Sequence, residues 1–143
     1  MNSHWEDLNF LLVVGTVGFM AGLFVAIASI LGVLSVAGGA FGAHALKGTL
    51  TDTALSSFET GVRYQMYHAI ALLIIALLIS QNPDLKELVA AGWCFVAGVV
   101  LFSGSLYGLS LLGIKALGPI TPLGGLAFII GWISLAIAGG KLA

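Results

Sequence analysis

The chain has 143 residues, 59% of them hydrophobic and only 8% charged, with a formal net charge of −1 at pH 7. Its five basic and six acidic side chains cannot cover a water-facing surface without leaving very large apolar patches, so lipid is the expected solvent and a soluble globular domain is excluded. There is neither a basic run nor an acidic tail, which excludes a nucleic-acid partner.

Residues Met1 to Asn9 are polar and mildly acidic through Glu6 and Asp7, and an apolar run without a charged side chain then extends from Phe10 to Ala43. As one helix this run would reach about 50 Å, against a hydrocarbon core of about 30 Å. A cleavable secretory signal is a poor account of the excess, because no basic region precedes it and no turn-rich mature segment follows. Other readings stay open: a helix that projects beyond the bilayer, one that bends or breaks around Gly15, Gly18 and Gly22, or a natural start at Met20. The expected organisation is an N-terminal extension over residues 1–21 and a membrane domain over 22–143, whose first span covers about residues 23–44.

Small residues recur at helical spacing within that span, including Gly32, Ser35 and Gly39, and they form a groove suited to close helix contact in lipid. Lys47 marks the interface and Gly48 is available to stop the helix. Thr51 or Asp52 can cap the next helix, which has no proline before Ile79 and is expected to span about residues 55–80. Asn82-Pro83-Asp84 makes a tight turn into a third span at about 88–112. This span carries Ser103, Ser105, Tyr107 and Ser110 together with the Gly104/Gly108 pair. Two glycines and two prolines between Gly113 and Pro122 end it, and a fourth span follows at about 122–141 with Pro122 in its permitted first turn.

The expected fold is therefore all-α: an antiparallel integral membrane four-helix bundle with both termini on one side. Lys47, Arg63 and Lys115 flank one side and Lys86 and Lys141 the other. This small excess favours a cytoplasmic position for the first and third connections. Close packing is expected between the first and third spans, through Gly32, Ser35 and Gly39 on one and Gly104 and Gly108 on the other.

The chemistry concentrates at the start of the second span. Glu59, Arg63 and Tyr67 recur at i, i+4 and i+8, and Tyr64 and His68 share the neighbouring face. With His44 these six residues form the candidate polar cluster, since an ionisable group inside a span is a functional candidate by default. In the structural reading, Glu59 and Arg63 pair near the interface while a deeper, neutral His68 faces protein and bonds to a polar group on the first or third helix. The functional alternative is an oligomeric transporter, channel or lipid-binding protein using the same cluster. Four helices leave little room for a path, so transport would call for oligomerisation along the glycine-rich faces. His44, His68 and Glu59 lack any local metal-binding signature, and the lone Cys94 reads as a small packing residue, so no metal and no cofactor is expected. Ser103 or Ser105 beside His68 could in principle make a nucleophile and base, but serines are ordinary interhelical glue and no enzyme activity is expected.

Four blocks occur together in this order: Gly38 to His44, Phe58 to His68, Phe102 to Tyr107, and Thr121 to Gly125. On these blocks, from about residue 22 to the C-terminus, the chain resembles the DUF423 family of small bacterial membrane proteins, also called uncharacterised protein family 0382, with a eukaryotic relative in transmembrane protein 256. The resemblance implies a multi-pass protein of the cytoplasmic membrane with lipids as its surroundings. It supplies no catalytic residues, and residues 1–21 depart from the compact family pattern.

Overall fold

The computed structural model describes residues 3–142, with side chains described from Gly15 onward. Met1, Asn2 and the side chains through Val14, all within the expected N-terminal extension, lie outside the described residues. Four helical spans carry the fold, and each is long and apolar enough to cross a membrane.

Helix α1 (Ser3–Phe41) runs without a break through Gly15, Gly18 and Gly22 and closes in a π-helical turn, Gly42–Leu46. Glycine lowers helix propensity by about 1 kcal/mol but does not remove a backbone hydrogen bond as proline does, so it does not by itself end a helix. The stop comes at Gly48, where φ is +88°, a conformation that glycine adopts without the steric cost other residues meet. Helix α2 (Asp52–Gln81) begins at Thr51, whose hydroxyl accepts the Ala54 N–H at 3.2 Å. Asn82 ends it, with the backbone N–H and side-chain amide both donating to the Leu78 carbonyl.

The third span is α3 (Lys86–Gly98), a π-helical turn (Val99–Ser103) and α4 (Gly104–Leu112) in one continuous rod. Gly113, in the left-handed conformation at φ 66°, terminates it. A 3₁₀ turn, Lys115–Ile120, leads directly into α5 (Thr121–Gly139), with Pro122 in the first turn as expected. The last three spans thus lie close to where the sequence placed them, whereas the first helix starts well before residue 23 and takes the expected extension into one unbroken rod; the architecture is an antiparallel helical bundle.

Helix α2 and the third span form the inner pair. Helix α1 lies along α2, and α5 lies along α3 and the π turn, so the two outer helices expose most of their surface to lipid. The half of the bundle nearest the Asn82 turn is wholly apolar inside. Leu72, Ile75 and Ile79 of α2, Leu88, Ala91 and Phe95 of α3, and Phe24 of α1 are each at most 2% exposed. Apolar residues gain little by leaving lipid, so this half is held by shape and dispersion rather than by the hydrophobic effect.

The shape is set by glycines other than those expected. Gly32 and Gly104 face open space, Gly39 meets Val62 of α2 at ordinary contact distance, and Leu117 of the last connection covers Gly108. Ser35 is buried, with its hydroxyl bonded to the Leu31 carbonyl of its own helix at 2.9 Å. These residues therefore do not join the first span to the third; at the level of Gly38 and Gly39, α1 rests on α2 through Val62. The first and third spans meet instead at Phe24. Its ring seats on Gly92, where a Cβ would stand 2.6 Å from Phe24 Cζ, and lies edge-on to Trp93 with 5.4 Å between centroids. Gly131 accepts the ring of Phe95 in the same way, and Gly61 accepts Tyr107.

Candidate functional site

The buried face of α2 determines which polar groups can act inside the bundle. Phe58, Gly61, Val62, Gln65, His68, Ala69, Leu72, Ile75, Ala76 and Ile79 recur at spacings of three and four and form one inward stripe. Gln65 and His68 are its only two polar members with side chains that reach across the bundle. Both are 4% exposed.

Gln65 joins three spans. Its amide nitrogen donates to the Leu31 carbonyl of α1 at 2.9 Å, and its amide oxygen accepts the Tyr107 hydroxyl of α4 at 3.1 Å. This assignment is chemically required, since a carbonyl can only accept. Close by, the Ser103 hydroxyl donates to the Gly61 carbonyl at 2.8 Å, and Ser105 shares a hydrogen bond with Thr121 of α5 at 2.7 Å. Ser110 returns its hydroxyl to the Leu106 carbonyl.

His68 lies deepest. Its Nδ1 is 2.7 Å from the Tyr64 carbonyl, and its Nε2 is 3.2 Å from Trp132 Nε1 on α5. A carbonyl only accepts and an indole N–H only donates, so the arrangement requires a proton on Nδ1 and a lone pair on Nε2: the neutral imidazole in a single tautomer. The ring stacks on Phe128, with centroids 3.5 Å apart and planes 7° from parallel, and Phe95 meets it edge-on at 5.1 Å. His68 therefore faces protein, as expected, but its partner belongs to the fourth span rather than the first or third. The reason is geometric. The π turn and α3 bring α5 over this face of α2, and Trp132 lies one helical turn beyond the stacked Phe128.

Of the sequence-derived cluster only Tyr64 stays beside His68, with 6.2 Å between ring centroids; His44, Glu59, Arg63 and Tyr67 do not join it. His44, Glu59, Arg63, Tyr64 and Tyr67 are all exposed. Arg63 donates to Thr60 Oγ1 at 3.2 Å rather than to Glu59, and no Glu59–Arg63 ion pair forms among the described residues. Exposed at the edge of the span, both side chains can extend toward headgroup water, where a mutual pair adds little. The described ion pair is Lys141–Glu87 at 2.7 Å, which ties the end of α5 to the start of α3. Among the described residues, no three His, Cys, Asp or Glu side chains converge, so His44, His68 and Glu59 do not share a site. Glu59→Gln and Arg63→Gln are accordingly expected to leave the thermal midpoint in detergent where it is, singly and together. Measurable coupling in that double-mutant cycle would reinstate the ion pair.

Sequence reasoning missed Gln65, Tyr107 as its partner, and Trp132. The spacing of Gln65 from Phe58, Gly61, Val62 and Leu72 was the available signal. Trp132 offered none beyond its place one turn after Phe128. Beside His68 the surface opens into a groove of about 570 Å³ between α2 and α5, lined by Tyr64, Phe102, Phe128 and Trp132 among others.

Comparison with known proteins places this geometry in a family. Residues 38–125 match DUF423, described as a protein of unknown function. The chain is 48% identical over 119 residues to the UPF0382 membrane protein YwdK of Bacillus subtilis, covering 83% of this chain and 97% of that relative. It is 50% identical over 121 residues to the UPF0382 membrane protein SAB0533 of Staphylococcus aureus, covering 85% and 98% respectively. A UPF0382 membrane protein of Staphylococcus haemolyticus is 48% identical over 116 residues, covering 81% of this chain and 93% of its own length. No solved structure matches. With four apolar spans in the order the family blocks require, the chain belongs to the DUF423 family and is a small multi-pass membrane protein of unassigned biochemical activity.

Proposed function

We propose that this protein is a non-enzymatic structural or accessory protein of the cell membrane, with lipids as its immediate partners, and that its interior polar groups brace the bundle. The observation that carries this reading is that the buried polar side chains are satisfied inside the bundle, by backbone carbonyls and by one another: none of the described buried side-chain nitrogen or oxygen atoms lacks a partner. A group already bonded inside the bundle is a poor ligand for a passing ion. The apolar half supports the same reading. The seal of Leu72, Ile75, Ile79, Leu88, Ala91 and Phe95 is at most 2% exposed and closes the single bundle to water on the side of the Asn82 turn. Ser103 and Ser105 are engaged with Gly61 and Thr121, and His68 Nε2 with Trp132, so neither serine has a base in contact to activate it.

The test is reconstitution. Proteoliposomes containing the full chain, loaded with a pH-sensitive dye and poised with a potassium gradient, should leak protons and potassium no faster than empty vesicles. His68→Gln should lower the thermal stability in detergent by about 1–2 kcal/mol, through loss of the stack on Phe128 and of the ring acceptor for Trp132. Flux above the empty-vesicle rate that disappears in His68→Gln would replace this reading with transport. Such transport would have to run between copies of the chain, because the interior of one copy is sealed.

A further inference from the structure

One row of α2 runs from the membrane surface inward as acid, base and phenol. Glu59, Arg63 and Tyr67 lie about 6 Å apart along the helix axis, and all three are exposed. Counting about 20 residues back from Ser80, at the far end of α2, puts the edge of the hydrocarbon near Gly61. Glu59 therefore stands at headgroup level, Arg63 at the boundary and Tyr67 inside it, each side chain leaning back toward the start of the helix and hence toward the surface. A glutamate four residues ahead of a basic side chain is the favoured order for a helical ion pair. Here the pair is not made: Arg63 turns to Thr60 Oγ1 at 3.2 Å, and among the described residues neither charge has an ionic partner. Both border a shallow groove of about 200 Å³ between α1 and α2, which Gly38, Gly39 and Val62 also line.

The order of the row selects the occupant. A zwitterionic phospholipid presents, from water inward, an ammonium, a phosphate and the ester carbonyls of its chains. The row offers at successive levels a carboxylate, a guanidinium and a hydroxyl, the complement of each in turn. An anionic headgroup would satisfy Arg63 but set negative charge against Glu59, and a second copy related by an axis along the membrane normal would bring each charge to the depth of its own duplicate. The groove is smaller than the roughly 300 Å³ at which small-molecule sites begin, so it suits a headgroup whose chains stay in the bilayer. A primary ammonium donates N–H bonds to a carboxylate, whereas a trimethylated one has none to give. We infer that this row and its groove bind the headgroup of phosphatidylethanolamine, the ammonium donating to Glu59, the phosphate accepting from Arg63, and Tyr67 donating to an ester carbonyl. The inference rests on the reading of lipids as immediate partners and names the lipid.

Native mass spectrometry is the test. The full chain is released from micelles that contain equal mole fractions of dioleoyl phosphatidylethanolamine, phosphatidylcholine and phosphatidylglycerol, and the retained lipids are counted. Phosphatidylethanolamine should exceed each of the others about three- to fivefold, the upper range for one exposed ion pair. Glu59→Gln should bring it level with phosphatidylcholine, and Arg63→Gln should lower both. Glu59→Arg combined with Arg63→Glu keeps the parent's composition and net charge but reverses the order of the row, so the preference should vanish. The thermal midpoint in lipid-free detergent checks that each variant is folded. Equal retention of the three lipids by the parent, an excess of phosphatidylglycerol, or a preference that survives the reversed pair would each overturn the inference. Any of these would leave the bracing reading standing, because proton and potassium flux tests that reading independently of Glu59 and Arg63.

Discussion

Gly124→Ala should destabilise the detergent-solubilised protein by about 1–3 kcal/mol, whereas Gly104→Ala and Gly32→Ala should be neutral or slightly stabilising. At Gly124 a Cβ would stand 2.7 Å from Phe102 Cα, with the Phe102 backbone nitrogen closer still. Backbone cannot step aside as the end of a side chain can, so α5 would have to move off the π turn of the third span and carry Phe128 and Trp132 with it. Replacing a helical glycine with alanine gains up to about 1 kcal/mol in propensity, which offsets only part of that cost. At Gly104 and Gly32 nothing opposes the added methyl, so the propensity gain stands alone. Thermal midpoints measured side by side decide it: equal shifts for Gly124→Ala and Gly104→Ala would show that Phe102 and Gly124 do not meet.

Gln65→Leu should cost about 1–2 kcal/mol, and the loss should come mainly from the third span rather than the first. Leucine has nearly the volume of glutamine, so packing changes little. The Leu31 carbonyl also keeps its bond from the Ser35 hydroxyl at 2.9 Å. The Tyr107 hydroxyl, by contrast, loses its only described acceptor inside the bundle, and a stranded hydroxyl costs more than a hydrogen bond contributes. Tyr107→Phe removes that hydroxyl, so Gln65→Leu with Tyr107→Phe should be less destabilised than the sum of the single changes. Chemical denaturation in mixed micelles is the measurement, and strict additivity would separate Gln65 from Tyr107.

The spans were legible because, Glu59 and Arg63 aside, the charges and prolines after residue 10 fall where one helix gives way to the next or at the chain's end. Lys47-Gly48, Asn82-Pro83-Asp84 and Gly113 through Pro122 all fall in connections or at their edges. The inward side of α2 was harder to read. Coupling Glu59, Arg63 and Tyr67 by their i, i+4 spacing selects residues that could pair with one another, whereas burial is decided by which neighbours cover the helix. Here α1 covers it through Val62 and Gln65, and the third span through Gly61, so the buried stripe takes in His68 from one polar row and leaves Tyr64 and the whole Glu59, Arg63, Tyr67 row exposed. The packing glycines were illegible for a related reason. Every helix in this chain offers small residues, and only the arrangement of the other helices decides that Gly61, Gly92, Gly98, Gly124 and Gly131 receive neighbours while Gly32 and Gly104 receive none. Nothing in Val99-Val100-Leu101-Phe102-Ser103 announces a π turn. The segment has no proline, glycine or charge and reads as ordinary apolar helix.

That π turn fixes the angular phase of the third span. A regular α-helix advances about 100° per residue, and a π turn absorbs one residue without that advance. Were Lys86 to Leu112 an uninterrupted α-helix, everything after the turn would be rotated by about 100° relative to everything before it. Phe95 and Gly98, which meet Gly131 and Phe128 of α5, would then no longer be compatible with Ser103 bonded to Gly61 and Tyr107 bonded to Gln65 on α2. The single absorbed residue is what allows one rod to be apolar toward α5 at one level of the membrane and hydrogen-bonded to α2 at the next.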